Sequence, residues 1–171
     1  MSQLQIEEYY LEALDNLEFG KIVEAKRLFE KIISDNPQYG RAYTYLGWIY
    51  HRYFMDFAMA EEMYNMGLKY APLFPVTYTN YIYLLTETDK WEHLKYLLDK
   101  ADKITGVKKS VIYFHYGRLF EQNENYEAAL DYYVKGKKAT FEEMELEQFE
   151  LCIERCQSKQ LSGKKWFSQI S

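Results

Sequence analysis

The chain has 171 residues, 48% of them apolar and 18% aromatic, with 26 acidic against 21 basic side chains and a net charge of −5. That length suits one domain or one short array, with enough apolar residues for a continuous core. The absence of any run of about 18 apolar residues argues against membrane insertion, and the acidic balance argues against nucleic-acid partners, which are held by Lys and Arg on phosphates.

Residues 1–8 have no basic start and no apolar run, so no cleaved signal peptide is expected. Helical spacing of apolar residues predicts helices at 3–19, 21–35, 40–53, 57–70, 75–87, 90–103, 109–122 and 125–138. The first pair carries Tyr9 and Ala13, then Ala25 and Phe29, with Gly20 between them and Asn36-Pro37 as a stop. The second carries Tyr43, Leu46, Gly47 and Tyr50 as one stripe, then Met59, Ala60, Met63, Tyr64, Gly67 and Leu68, and Pro72 ends it. Glycines at 47 and 67 cost helix stability, so close helix packing must offset them. The third pair carries Tyr78 and Ile82, then Leu94 and Leu98. The fourth carries Tyr113 and Gly117, then Ala129, Tyr133 and Gly136.

These positions are in register. The tyrosines at 9, 43, 78 and 113 are separated by 34, 35 and 35 residues. A fixed period of this size marks a stack of similar units, each unable to bury its apolar face alone. Residues 141–160 then predict an amphipathic ninth helix that caps the stack, with Phe141, Met144, Leu146, Phe149, Ile153 and Cys156 as its apolar set. Ser162-Gly163 should break that helix. The expected organisation is one domain, 1–160, and a tail, 161–171, in which Trp166, Phe167 and Ile170 are candidates for docking on this protein, on a partner or on a second copy as a homodimer.

The pattern Tyr43, Leu46-Gly47, Tyr50, Ala60, Tyr64, Gly67 and Pro72 resembles the tetratricopeptide repeat, and the other three units match it in part. The second unit departs by one extra residue between Tyr50 and Ala60. The third departs most, with Ile82 and Leu94 in place of small residues. The resemblance spans residues 6–141. It implies an all-α fold, a right-handed α-α superhelix of about four helical hairpins with a C-terminal capping helix. It also implies a concave surface lined by the first helix of each pair.

On that surface the face offset from the tyrosine stripe carries Arg41, Thr44, Tyr45, Trp48, His51 and Arg52. It continues with Thr79, Asn80, Tyr83 and Glu87, then with Phe114, His115, Arg118, Glu121 and Gln122; Tyr10 and Leu14 extend it. Trp, Tyr and Arg are the types enriched at binding hot spots. The partner-binding candidates are therefore Tyr45, Trp48, Arg52, Asn80, Tyr83, Phe114, His115 and Arg118. A carboxylate clamp of the kind found in chaperone-binding members is not expected. Asn80 falls at one of its sites, but Tyr10 and His115 stand where its lysines would be.

No nucleophile elbow, phosphate-cradling loop or metal-ligand spacing is present, so neither an enzyme nor a cofactor nor a metal site is expected. Cys152 and Cys156, four apart on one helix face, read as reduced thiols in a cytoplasmic protein. The expected function is a noncatalytic module that binds a peptide or helix in an aromatic groove. The alternatives are a secretion-type chaperone for an apolar client segment and a self-associating assembly subunit.

Overall fold

The computed structural model describes the backbone of residues 1–170 and the side chains of residues 1–161. Among the described residues there are nine α-helices and no strand. They are α1 (Gln3–Glu18), α2 (Ile22–Asp35), α3 (Gly40–Ile49), α4 (Phe57–Tyr70), α5 (Pro75–Glu87), α6 (Trp91–Ala101), α7 (Lys109–Gln122), α8 (Tyr126–Lys138) and α9 (Glu143–Ile170). A π-helical turn, Tyr50–Phe54, continues α3. The chain forms two compact units, Met1–Thr88 and Asp89 onward. In the first, α1 pairs with α2 and α3 with α4, and α5 packs on both α3 and α4. In the second, α6 packs on α7, α7 pairs with α8, and α9 lies against α8 with a smaller contact on α7.

The turn inside each repeat is built on a left-handed residue: Gly20, Met55, Asp89 and Glu124 all have φ between 53° and 72°. They recur at steps of 35, 34 and 35 residues. Only the first is a glycine, the residue that adopts this conformation without penalty. After Gly20 and Glu124 the next amide closes back five residues, Lys21 N to Asn16 O and Asn125 N to Phe120 O. After Met55 the corresponding bond, Asp56 N to Tyr50 O, spans six. The extra residue counted in the second repeat is therefore absorbed as a π turn, the form an inserted residue takes inside a helix. Asp56 and Asn125 then cap α4 and α8 through their side chains, bonding Met59 N and Ala128 N.

The recurring small and bulky residues meet within hairpins. Gly47 lies on the ring of Tyr64, and Gly117 on the ring of Tyr133, with no room for a β-carbon at either. Gly67 faces a buried pair, Thr44 and Thr77, whose hydroxyls bond each other at 2.6 Å. The tyrosine period has its own cause. The Tyr43 hydroxyl donates to Pro37 O and the Tyr78 hydroxyl to Pro72 O, tying each helix to the turn before it. The core of the first unit is built around Phe29, Ile32, Leu46, Ile49, Tyr10 and Ala13. That of the second holds Tyr133, Ala129, Phe149, Cys152 and Cys156.

Two expectations for the C-terminal helix need correction. α9 runs on to Ile170 without a break at Ser162-Gly163. Its packed face is Phe149, Cys152, Ile153 and Cys156, while Phe141 and Met144 are exposed. The i, i+3, i+4, i+7 set starting at Phe149 is the one that faces α8, where Gly136 leaves space for the Phe149 ring.

Candidate functional site

In the first unit three helices frame two adjoining hollows. α3 and its π turn place Tyr45, Trp48 and Arg52 on one face, at i, i+3 and i+7. α5 places Val76, Asn80 and Tyr83 at the same kind of spacing, and Pro75 at its first turn sets where that face begins. α1 adds Leu14, Leu17 and Glu18. The first hollow, about 390 Å³, is lined by the α1 residues with Tyr45, Trp48, Val76 and Asn80. The second, about 230 Å³, is lined by Trp48, His51, Arg52, Asn80 and Tyr83. Trp48 and Asn80 therefore belong to both.

The aromatic side chains here are held before any ligand arrives. Tyr45 stacks on Phe29 with ring centroids 5.4 Å apart. Trp48 makes an edge contact with Tyr53 of the π turn at 5.3 Å. Such ring pairs fix orientation and leave less freedom to lose on binding. One wall is electrostatic: Glu87 takes His51 Nε2 at 2.9 Å and the Arg52 guanidinium at 3.1 Å. Arg52 remains half exposed, so it keeps donors free for other acceptors.

Several residues expected to be open on this face are buried or already paired. Thr44 and His51 are buried, Thr44 against Thr77 and His51 behind Glu87. Tyr10 is also buried, and Arg41 lies over the Tyr10 and Tyr39 rings while pairing with Glu7 at 2.8 Å. In the second unit, Phe114 joins the core through Phe149, 5.8 Å away edge to face. His115 is 1% exposed, and burial, helped by the nearby Arg118 charge, lowers its pKa to about 3. Phe114 forms no open groove wall within this unit, because α9 packs Phe149 against it, and His115 is buried beside the Phe114 ring.

Arg118 does line a hollow, of about 290 Å³, with Glu121, Gln122, Arg155 and Lys159. Glu121 is the centre of an ion network: Arg155 binds both its oxygens at 2.7 Å, Lys159 approaches at 3.1 Å and the Tyr133 hydroxyl donates at 2.9 Å. Arg155 first, then the other donors, hold the Glu121 carboxyl down to about 2.

Sequence reasoning missed Leu17, Glu18 and Val76 in the first unit and Arg155 and Lys159 in the second. Val76 stands one turn before Asn80, and Arg155 stands 34 residues after Glu121, one repeat on. Both signals were present as spacing. Trp166, Phe167 and Ile170, the tail candidates, lie outside the residues whose side chains are described. Among the described residues, no helix is long and apolar enough to cross a membrane, and no group of three His, Cys, Asp or Glu side chains is placed to hold a metal ion.

No protein-family model matches the chain, and no curated protein sequence matches it. Solved structures do match. PilF of Pseudomonas aeruginosa aligns with a TM-score of 0.78 at 20% identity, over 92% of this chain and 69% of its own. MamA aligns at 0.76 and 14% identity, over 95% of this chain and 88% of its own. YrrB, a TPR protein with an unusual peptide-binding site, aligns at 0.67 and 14% identity, over 77% of this chain and 66% of its own. At such identities the likeness is one of fold, and that fold is the all-α, tetratricopeptide-like helical repeat.

Proposed function

We propose that this chain is a noncatalytic protein-interaction module whose first unit holds a peptide segment, extended or helical, across the two hollows that share Trp48 and Asn80. The observation that carries the reading is the sharing itself. A mainly apolar hollow walled by Leu14, Leu17, Tyr45 and Val76, with Glu18 at its edge, adjoins one of mixed character walled by Trp48, Tyr83 and the Arg52 guanidinium. A segment crossing both puts an apolar side chain into the first and a polar or acidic group near Arg52. The Asn80 amide, between them, has both a donor and acceptors for a peptide backbone. The peptide-binding site of YrrB, on the same fold, supports a peptide as the ligand class. The reading keeps a reducing, cytoplasmic setting, in line with the two buried free thiols, Cys152 and Cys156.

The test is selection of binders from a displayed random-peptide library on the full chain, followed by affinity measurement with purified peptides. Trp48→Ala and Tyr83→Ala should each weaken selected peptides by about 2 kcal/mol, the scale of a hot-spot truncation. Glu62→Lys, at an exposed position on α4, should leave affinity unchanged. Selected peptides that are indifferent to Trp48→Ala and sensitive to Glu62→Lys would contradict the reading.

A further inference from the structure

The Glu121 network has one cation too many. A carboxylate has about four acceptor sites. Glu121 fills them with Arg155 Nε and Lys159 Nζ on Oε1, and Arg155 Nη2 and the Tyr133 hydroxyl on Oε2. Nothing is left for Arg118, which lines the same hollow. Among the described residues, Arg118 donates to no acceptor and forms no ion pair. Its planar guanidinium carries five donors in a fork that matches an oxyanion. Lys159 uses one of its three donors on Glu121 and lines the same space. Arg118, Arg155 and Lys159 against Glu121 leave a local excess of two positive charges, in a chain whose formal net charge is −5. Charge of this sign, concentrated in a hollow of an otherwise acidic protein, selects anions.

We infer that the hollow between α7 and α9 is an oxyanion site for the doubly charged acidic part of a peptide, with Arg118 as its forked donor and Lys159 as its second cation. The required charge comes either from two adjacent carboxylates or from one phosphorylated side chain, since a phosphomonoester carries nearly two negative charges at neutral pH. Glu121 is not a ligand here. It is the counter-charge that fixes Arg155 and Lys159 in place, and being saturated it does not compete for Arg118. The site lies wholly within the second unit and does not depend on the groove reading of the first.

The test is an NMR titration of the full chain, following the arginine Nε–H signals, with three short capped glycine peptides. One carries Glu-Glu at its centre, one phosphoserine and one Gln-Gln. The site predicts that at least one acidic peptide shifts the Arg118 signal and binds about tenfold more tightly than Gln-Gln, about 1.4 kcal/mol. That preference should shrink as salt rises from about 0.05 to 0.2 M. Arg118→Gln should remove the preference without lowering the melting temperature. Which acidic peptide binds identifies the source of the charge. Equal response to Gln-Gln, a preference that survives Arg118→Gln, or a melting temperature that falls in Arg118→Gln would each overturn the site, the last by making the guanidinium structural.

Discussion

Gly47 faces the Tyr64 ring so closely that a β-carbon built on the glycine would stand 2.7 Å from ring atoms Cδ1 and Cε1. Tyr64 is fully buried and has no room to swing away. The same relation holds between Gly117 and Tyr133. The repeat thus conserves the total volume of the pair: where one helix carries a large ring, the other carries no side chain at all.

Gly47→Ala should therefore destabilise the protein, against the usual helix preference for alanine, by about 1–3 kcal/mol. In Gly47→Ala/Tyr64→Leu the penalty for the added methyl should shrink, because a smaller partner leaves room for it. Thermal or urea unfolding of the four members of this cycle measures both effects. An unchanged midpoint for Gly47→Ala would show that the ring yields at no cost.

The left-handed turn residues give a prediction of opposite sign. Met55 and Glu124 sit at φ 53° and 57°, where a side chain costs about 1 kcal/mol and glycine does not. Met55→Gly and Glu124→Gly should each raise stability by about 0.5–1 kcal/mol, less what glycine adds to the freedom of the unfolded chain. Loss of stability in both would mean that those side chains contribute more than their strained backbone costs.

Acid should weaken the second unit in two overlapping windows, the His115 window opening first. His115 is held neutral in the fold, with a pKa of about 3 against 6.5 for a free side chain. The unfolded chain binds a proton that the native state refuses, so stability falls as pH drops below 6.5. By pH 5 the loss is about 2 kcal/mol. Glu121 is the reverse in chemistry and the same in sign. Its carboxylate is favoured in the fold, so its contribution is complete above pH 4.5 and is lost as pH falls toward about 2. With Arg155 and Lys159 half exposed, that contribution is about 2 kcal/mol. Urea unfolding against pH should show a slope between pH 6.5 and 5 that His115→Gln removes and Glu121→Gln leaves. A slope unchanged in His115→Gln would assign it to another group.

Much of this fold is legible in the sequence because a repeat states a packing relation more than once. The glycine–ring pairs of the second and fourth repeats and the limits of most helices follow from the 34- and 35-residue steps. Four of the ion pairs keep the same step: Glu7 with Arg41, Arg52 with Glu87, Lys108 with Glu142 and Glu121 with Arg155 are each 34 or 35 residues apart. The division between units at Thr88 falls in the third repeat, where Ile82 and Leu94 break the pattern. The candidate site was less legible. Helical spacing put Tyr45, Trp48, Arg52, Asn80 and Tyr83 around common hollows. It could not tell that His51 turns inward onto Glu87 or that α9 would enclose Phe114. Those outcomes depend on which neighbouring helix covers a face, and a period of 3.6 carries no information about the neighbour. The extra residue before Ala60 was countable, but a count does not distinguish a longer loop from a π turn.

The proposed peptide site has Trp48 and Asn80 at its middle. Its most direct test is chemical-shift mapping of the full chain with a peptide selected for binding. The largest shifts should fall at the Trp48 indole N–H and the Asn80 side-chain amide, with smaller ones at Leu14, Val76 and Tyr83. Saturable binding whose shifts fall on the exposed faces of α2 and α4, with the Trp48 and Asn80 signals unmoved, would contradict it.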